Sequence, residues 1–535
     1  MTTTAEPLLP AARLTLYDRW SARVASSPEL TRRWSWLAPL VVTLVAGILR
    51  VANLANPHAV IFDETYYVKD AWSQWLLGFP SKWPDGADQS FLNGDTEIFT
   101  GEGSFVVHPP LGKFFIGAGM ALFGADSTFG WRIAVCVFGT ATVLVLYHLA
   151  KSLTGSIAFA TVASGLMAVD GMAIAMSRVA ILDGISALFV VLTFWFVVLD
   201  RRGHLDRLTA AIAARRAAAS GDEPDVPWGP VLWNRPWVVA AGAAAGAATA
   251  VKWSGLYVIA GLGIYLVVTD ALARRRAGVG NWPRDAVRQG VASFVLFVPV
   301  AFVVYLASWT GWLATDGGYG RHDADADPAT GFWSWVPLAL QSLWRYHQAM
   351  YSFHVGLTAD HSYQSPAWQW PVLIRPTSMF YQNTDGWVQN IYSMPNPLVW
   401  VAGVVAVLYA LWRFVVARDW RLAVVLTGIA VTYVPWLQFP ERTTFQFYTI
   451  VVLPFVLLAL TFALRDIARG GVPWRARAGD EPEKVSAYRR VTGQRLVLVF
   501  LGVALVIAAF WYPVVNGIPV PQPFYQMHNW VRSWI

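Results

Sequence analysis

The chain of 535 residues is 56% hydrophobic and only 14% charged, against about 25% charged in soluble domains, which excludes an ordinary soluble enzyme. Its formal charge of +7 leaves nucleic acid or an anionic membrane surface as partner until the charges are placed along the chain. Its single cysteine, Cys136, lies in an apolar run and excludes an intrachain disulfide framework.

In chain order, residues 1–36 are polar, carry five arginines and lack a short apolar core with a small-residue cleavage site. They read as a cytoplasmic arm before an uncleaved anchor, not as a signal peptide. Residues 37–535 read as one transmembrane domain. Apolar runs long enough to cross the hydrocarbon core as helices fall near 37–54, 129–149, 156–175, 179–199, 236–251, 253–269, 290–308, 396–416, 420–437, 444–464 and 494–514, about eleven in all. An all-α polytopic membrane protein is the expected fold class. The stretch after Lys113 to residue 124 is too short to span and predicts an interfacial or re-entrant helix.

Alternate loops divide the basic residues unequally. Of the 40 Lys and Arg, 28 fall in the arm and in the loops at 151, 200–235, 270–289, 413–421 and 465–495, eleven fall on the other side, and Arg50 sits within the first span. Cytoplasmic loops accumulate positive residues, so the N-terminus is expected inside and the C-terminus outside. Short basic clusters facing an anionic leaflet also argue against nucleic-acid binding. Two outer loops are long, 55–128 and 309–395. Both are rich in tryptophan, with Trp72, Trp75 and Trp83 in the first and Trp333, Trp335, Trp344, Trp368 and Trp370 in the second. Loops of that length are usually functional or structured, so the chemistry is expected on the outer face.

Four constellations there can carry chemistry. Asp63-Glu64 stands a few residues after the first span, in FDETYYVKDAWSQW. Partial burial and a like-charged neighbour raise a carboxyl pKa towards the range of a general base; the plainer reading has Asp63 capping an interfacial helix through Trp75. In His108-Pro109-Pro110-Leu111-Gly112-Lys113 the two prolines impose an extended turn and place His108 and Lys113 at the outer interface, unless Lys113 merely snorkels. Arg132, Asp170, Arg178, Asp183, Lys252 and Arg442 lie at outer span ends. Cations at one depth suit a lipid phosphate, and pairing, such as Arg178 with Asp183, is the structural alternative. His361-Ser362-Tyr363-Gln364-Ser365-Pro366 with Trp368 and Trp370 suits a sugar or peptide, or simply the membrane interface.

Asp323-Ala-Asp325-Ala-Asp327 lacks the glycine and glutamate of a calcium hand and reads as a solvated loop. With neither a Walker loop nor a dinucleotide fingerprint, nucleotide-driven transport has no engine. A carboxylate pair, a cationic cluster and two outer loops fit group transfer from a membrane-bound phosphate donor, and a carrier or flippase remains the non-enzymatic alternative.

The eleven-span layout, Phe62-Asp63-Glu64, the His108-to-Lys113 motif, Ser177-Arg178-Val179-Ala180-Ile181-Leu182-Asp183 and Glu441-Arg442 through Tyr448 together resemble the protein O-mannosyltransferases. The actinobacterial branch, which uses polyprenyl-phosphate mannose, is the most similar. The resemblance covers nearly the whole chain and implies a fold of glycosyltransferase superfamily C. It also implies inverting transfer of one mannose from polyprenyl-phosphate mannose to Ser or Thr hydroxyls of proteins on the outer face of the cytoplasmic membrane. Asp63 is then the base and Glu64 orients Asp63 or the acceptor backbone. Arg442, Arg132, Arg178 and Lys252 face the donor phosphate, with His108, Lys113, His361 and Tyr363 nearby. No metal is implied. Acceptor chains beside the secretion channel and membrane lipids are the implied partners. A related transferase acting on a glycolipid or wall polymer is the alternative. Eukaryotic relatives insert a β-trefoil domain in the second outer loop, for which the 87 residues at 309–395 leave no room.

Overall fold

The computed structural model describes residues 15–218, 226–471 and 487–534. The first fourteen residues of the expected arm, and residues 472–486 of the basic loop 465–495, lie outside them. The chain runs α1 (Leu16–Ser26), α2 (Pro28–Val51), α3 (Glu64–Leu77), α4 (Ala87–Leu92), α5 (Leu111–Phe123), α6 (Thr128–Thr154), α7 (Ile157–Ala168), α8 (Gly171–Ala175) and α9 (Leu182–Ala218). It continues with α10 (Pro236–Val251), α11 (Gly255–Arg276), α12 (Trp282–Ala307), α13 (Thr310–Ala314), α14 (Leu338–Gly356), α15 (Pro397–Ala417), α16 (Trp420–Tyr433), α17 (Leu453–Ala468), α18 (Ala487–Val515) and α19 (Gln522–Gln526).

The molecule is mostly helical, and every expected apolar run falls on helix. Among the described residues eight helices are each long and apolar enough to cross a membrane. The other three runs fall on shorter pieces. Run 156–175 is broken at Asp170 between α7 and α8, run 236–251 is the 16-residue α10, and run 444–464 is a 3-10 turn, Gln446–Val451, leading into α17. The first crossing helix begins at Pro28, so the boundary expected at residue 36 falls inside it.

Small residues explain how the short α10 fits. It packs between α9 and α12, and a Cβ on Gly242 would lie 2.5 Å from the Phe297 carbonyl oxygen of α12. Glycines four residues apart let two backbones approach in this way, and Gly246 repeats the contact against Ala301. Side chains at the two ends of α10, Arg235 and Lys252, are thereby fixed in depth.

Both long loops, 55–128 and 309–395, are structured. The first holds α3, α4 and α5, so the segment after Lys113 is a helix, as expected. The second holds α13, α14 and a feature absent from the all-helical expectation. Strands β1 (Thr377–Thr384) and β2 (Trp387–Ser393) pair antiparallel, and β3 (Val520–Pro521) joins β2 from the C-terminal end. The β1–β2 turn is Asp385-Gly386, with φ of 51° and 82°, the left-handed pair that a tight hairpin requires.

Candidate active site

The segment between α2 and α3 is drawn into shape by two buried arginines. Arg132 of α6, fully buried, donates to the carbonyls of Pro57 (2.9 Å) and Ala59 (2.8 Å) and grips Glu64 through Nε (2.8 Å) and Nη2 (2.9 Å). Glu64 is also fully buried and accepts two further bonds, from the amides of Ile61 (2.9 Å) and Ala180 (2.8 Å). Arg178 donates to the carbonyls of Ala52, Asn53 and Asn56 and to the Asn516 side chain. Every nitrogen of Arg132 is engaged, Arg178 keeps only a buried Nε without a partner among the described residues, and all four lone pairs of Glu64 are taken. All three brace the segment that carries Asp63: for Glu64 this is the first of its two expected roles, orienting Asp63, while Arg132 and Arg178 are turned to backbone carbonyls and side chains instead of the donor face expected of them. The expected Arg178–Asp183 pair is absent too, because Asp183 binds Lys252 instead, at 2.9 and 3.0 Å.

That scaffold presents Asp63 differently from its neighbour. Asp63 occupies the position before α3, as the capping reading required, yet its ψ of 0° turns the side chain away from the helix amides and it makes no capping bond. Among the described residues its carboxylate has no hydrogen bond or ion pair. Phe62 before it holds φ at +48°, a conformation that costs a non-glycine residue of order 1 kcal/mol or more. Its ring is wedged edge-on between His361 (5.5 Å), Phe445 (5.3 Å) and Phe447 (5.6 Å). The strained turn therefore aims the carboxylate. Burial pushes the Asp63 carboxyl up to about 6; Lys252 opposes that shift and Asp183 adds to it.

Beside it lies a cavity of about 300 Å³ lined by His108, Lys252, His354, Arg442 and Tyr448 at its polar end and by Leu256, Tyr257, Tyr351, Val355, Trp436 and Phe439 elsewhere. Lys252 Nζ sits 4.5 Å over the Tyr448 ring while held by Asp183. Arg442 packs over Trp436 at 5.5 Å, and its Nη1 is buried with no partner. His108 Nδ1 is likewise buried and unpartnered; burial, then the cations around it, keep this ring neutral by lowering its pKa. One end of the cavity thus offers donors to an anion, and the rest is apolar. Tyr67, one helical turn after Asp63, closes the gap with its ring 6.1 Å from His108.

Of the residues expected at the donor, the structure brings together Arg442, Lys252 and His108. Lys113 stands behind them; its buried Nζ donates to the His108 carbonyl (3.1 Å) and lies 3.9 Å from Asp70, so it holds the Pro-Pro turn instead of a ligand. His361 is exposed on the Phe62 ring, and Tyr363 packs on Arg375 (5.0 Å). Asp170 caps α8 and accepts from the Asn396 amide. Trp370, read as a platform, is fully buried and bonded to the Ser365 carbonyl. Asp323, Asp325 and Asp327 lie on the second long loop, where Asp325 meets His322 and Asp327 meets Arg345. Sequence reasoning missed His354, Trp253 and Tyr67. The spacing of Tyr346, His347, Met350 and His354 along one face of α14 was the available signal.

The chain is similar to known proteins over nearly its whole length. Residues 107–211 match the family model for dolichyl-phosphate-mannose-protein mannosyltransferase, and 339–534 that for the C-terminal four TMM region of protein-O-mannosyltransferase. The polyprenol-phosphate-mannose–protein mannosyltransferase of Mycolicibacterium smegmatis (strain MKD8) is 32% identical over 94% of each chain. That of Mycobacterium tuberculosis (strain ATCC 25618 / H37Rv) is 32% identical over 96% of this chain and 94% of its own.

The chain belongs to the protein O-mannosyltransferase family. It is a glycosyltransferase of the membrane. The fold agrees with that of the Saccharomyces cerevisiae protein O-mannosyltransferase Pmt1-Pmt2 complex bound to the sugar donor, with a TM-score of 0.66 over 93% of this chain and 92% of that one at 14% identity. The mannosyltransferase family models begin just before His108 and end at Trp534, so they contain His108, Arg178 and Arg442 but not Asp63. The mycobacterial matches extend the family across nearly the whole chain.

Proposed function

We propose that this protein O-mannosyltransferase moves one mannose from polyprenyl-phosphate mannose to Ser or Thr hydroxyls of proteins at the outer face of the cytoplasmic membrane, with Asp63 as base. The observation that carries this reading is the unpaired Asp63 carboxylate beside a cavity with cationic donors at one end and apolar walls elsewhere. The acceptor oxygen attacks the anomeric carbon in line as the bond from that carbon to the phosphate oxygen breaks. The bonding pair leaves on the phosphate and the hydroxyl proton passes to Asp63, so a β-linked donor gives an α-linked product and polyprenyl phosphate. Charge builds on the phosphate as the bond breaks, and fixed donors stabilise such charge more in the transition state than in the ground state. Lys252, Arg442 and His108 supply those donors.

The same reading places eleven crossings in the membrane, with the N-terminus in the cytoplasm and the site outside. It is supported by the charge sorting and by the gathering of residues from 52–64, 108–113, 252–254 and 439–448 at one end of the bundle. Acceptors meet the site as unfolded chains beside the secretion channel. Because protein cations face the phosphate, no metal is required, and a chelator is expected to leave the rate unchanged.

Membrane fractions carrying the full chain, given polyprenyl-phosphate mannose and a Ser/Thr peptide, test the proposal. Peptide gaining the mass of one hexose is the expected result, at a rate that Asp63→Asn lowers by orders of magnitude. Mannose on lipid extracts and never on peptide would replace the protein acceptor with a glycolipid.

A further inference from the structure

Arg442 reaches the cavity because another side chain holds it there. Its Nε donates to the backbone carbonyl of His354 at 3.0 Å, and its Nη2 lies 3.3 Å from His354 Nδ1. The other ring nitrogen of His354, Nε2, lies 2.7 Å from the carbonyl oxygen of Val107, the residue before His108. A carbonyl only accepts, so the ring proton belongs on Nε2. Nδ1 is left with a lone pair, which is what a guanidinium N–H needs. The ring is further wedged between His108 (5.1 Å) and Trp253 (6.0 Å). With Nε and Nη2 engaged, Nη1 is the guanidinium nitrogen left buried without a protein partner.

We propose that His354, as its Nε2-protonated tautomer, is a positioning residue that fixes Arg442 so that Nη1 faces the phosphate oxygens that take up charge as the sugar leaves. This rests on the reading of the cavity as the donor site. The arrangement also links two separate parts of the chain. One imidazole ties the backbone just before the Pro-Pro turn to the arginine after α16, so the two phosphate-facing groups, His108 and Arg442, keep one spacing. The titratable and charged groups facing His354 are His108 from that turn, Lys252 from the end of α10, and Arg442. Burial lowers the His354 pKa to about 4, opposed by the Val107 bond and reinforced by Arg442 and Lys252. The accepting lone pair on Nδ1 therefore persists across the working pH range.

The test uses the full chain in membranes, with polyprenyl-phosphate mannose as donor, a Ser/Thr peptide as acceptor and polyprenyl phosphate as product inhibitor. His354→Phe is expected to lower kcat about 10- to 100-fold, the usual effect of removing a group that orients a site ligand. The acceptor KM stays unchanged, and inhibition by polyprenyl phosphate weakens. His354→Asn, whose Oδ1 takes the place of Nδ1, recovers most of the rate, whereas His354→Gln, which replaces Nε2, does not. In an Arg442→Ala background His354→Phe has no further effect, because both changes remove one interaction. Equal impairment of the Asn and Gln variants overturns the proposal, as does simple addition of the His354 and Arg442 effects. The Asn and Gln comparison decides the matter even where the Phe variant fails to accumulate. Wild-type transfer by Arg442→Ala alone would instead sink the reading of the cavity as the donor site.

Discussion

The two ends of the helix bundle use the same chemistry to opposite ends. At one end Arg235 binds Asp200 (2.6 Å) and Asp270 (2.7 Å) and donates to Ser293, while Arg274 binds Asp285 (2.8 Å) and Gln289 (2.9 Å). Unpartnered atoms occur there too, at Asp200 Oδ1, His204, the Tyr265 hydroxyl and Arg274 Nη1, but Asp200, His204 and Tyr265 line a gap of only about 10 Å³, room for one water, and Arg274 is fully buried beside Asp285. At the other end Glu64 and Arg132 form an equally closed pair. Next to them stands Asp63, close enough to feel the charge of Lys252; Arg442 and His108, whose Nη1 and Nδ1 are unpartnered among the described residues, line a cavity of about 300 Å³. Burial of charge therefore does not distinguish a site from a strut. Unsatisfied polar atoms together with room for a ligand do.

That contrast predicts that neighbouring carboxylates respond in different ways. Asp63→Asn is expected to lower transfer about 10²- to 10⁴-fold, the usual contribution of a positioned base. Its thermal stability in detergent stays that of the wild type, since among the described residues the carboxylate makes no capping bond to α3 and no ion pair. A variant that transfers normally would break the assignment. Glu64→Gln should act mainly on folding. It leaves the buried Arg132 guanidinium uncompensated, at a cost of about 3–5 kcal/mol, read as a lower melting temperature and a smaller yield in the membrane. At the opposite end Arg235→Ala should destabilise by a similar amount. The rate per folded molecule stays unchanged, because Arg235 lies at the far end of α10 from Lys252. Loss of transfer without loss of stability in that variant would contradict the separation of the two ends.

What was legible in the sequence follows from what local pattern encodes. Apolar run length placed helix under every expected span, and the asymmetry of Lys and Arg singled out the few cations away from the basic loops. Asp63-Glu64 and the Pro-Pro turn stood out because adjacent carboxylates and adjacent prolines are rare beside a membrane. Partner choice was not legible. Glu64 meets Arg132, 68 residues away, and Asp183 meets Lys252, 69 residues away, although Arg178 stands only five residues from Asp183. Such choices depend on which helix ends share a depth, as when the glycines of α10 fix the position of Lys252. Arg50, noted only as a charge within the first span, binds Ser177 and the carbonyls of Ala168 and Met167 and so ties α2 to α7. The hairpin left one local sign, Asp385-Gly386 between two runs of strand-forming residues, which the surrounding apolar helices outweighed.

The smallest predicted effect concerns pH and sharpens the contrast between Asp63 and Glu64. A base works deprotonated, so kcat/KM should fall as pH drops through the Asp63 value of about 6, losing about tenfold by one unit below it. His108 and His354 do not produce this limb, since burial lowers the pKa of both. Asp70 titrates in the same range, raised by burial to about 6 with Lys113 and Lys69 opposing, and it supports Lys113 behind the Pro-Pro turn. Asp70→Asn separates the two groups. If that variant keeps the acid limb, the limb belongs to Asp63; if the limb disappears, protonation acts through the turn that carries His108. Glu64→Gln, purified in its folded fraction, should retain the same limb, because its partner Arg132 does not face the cavity.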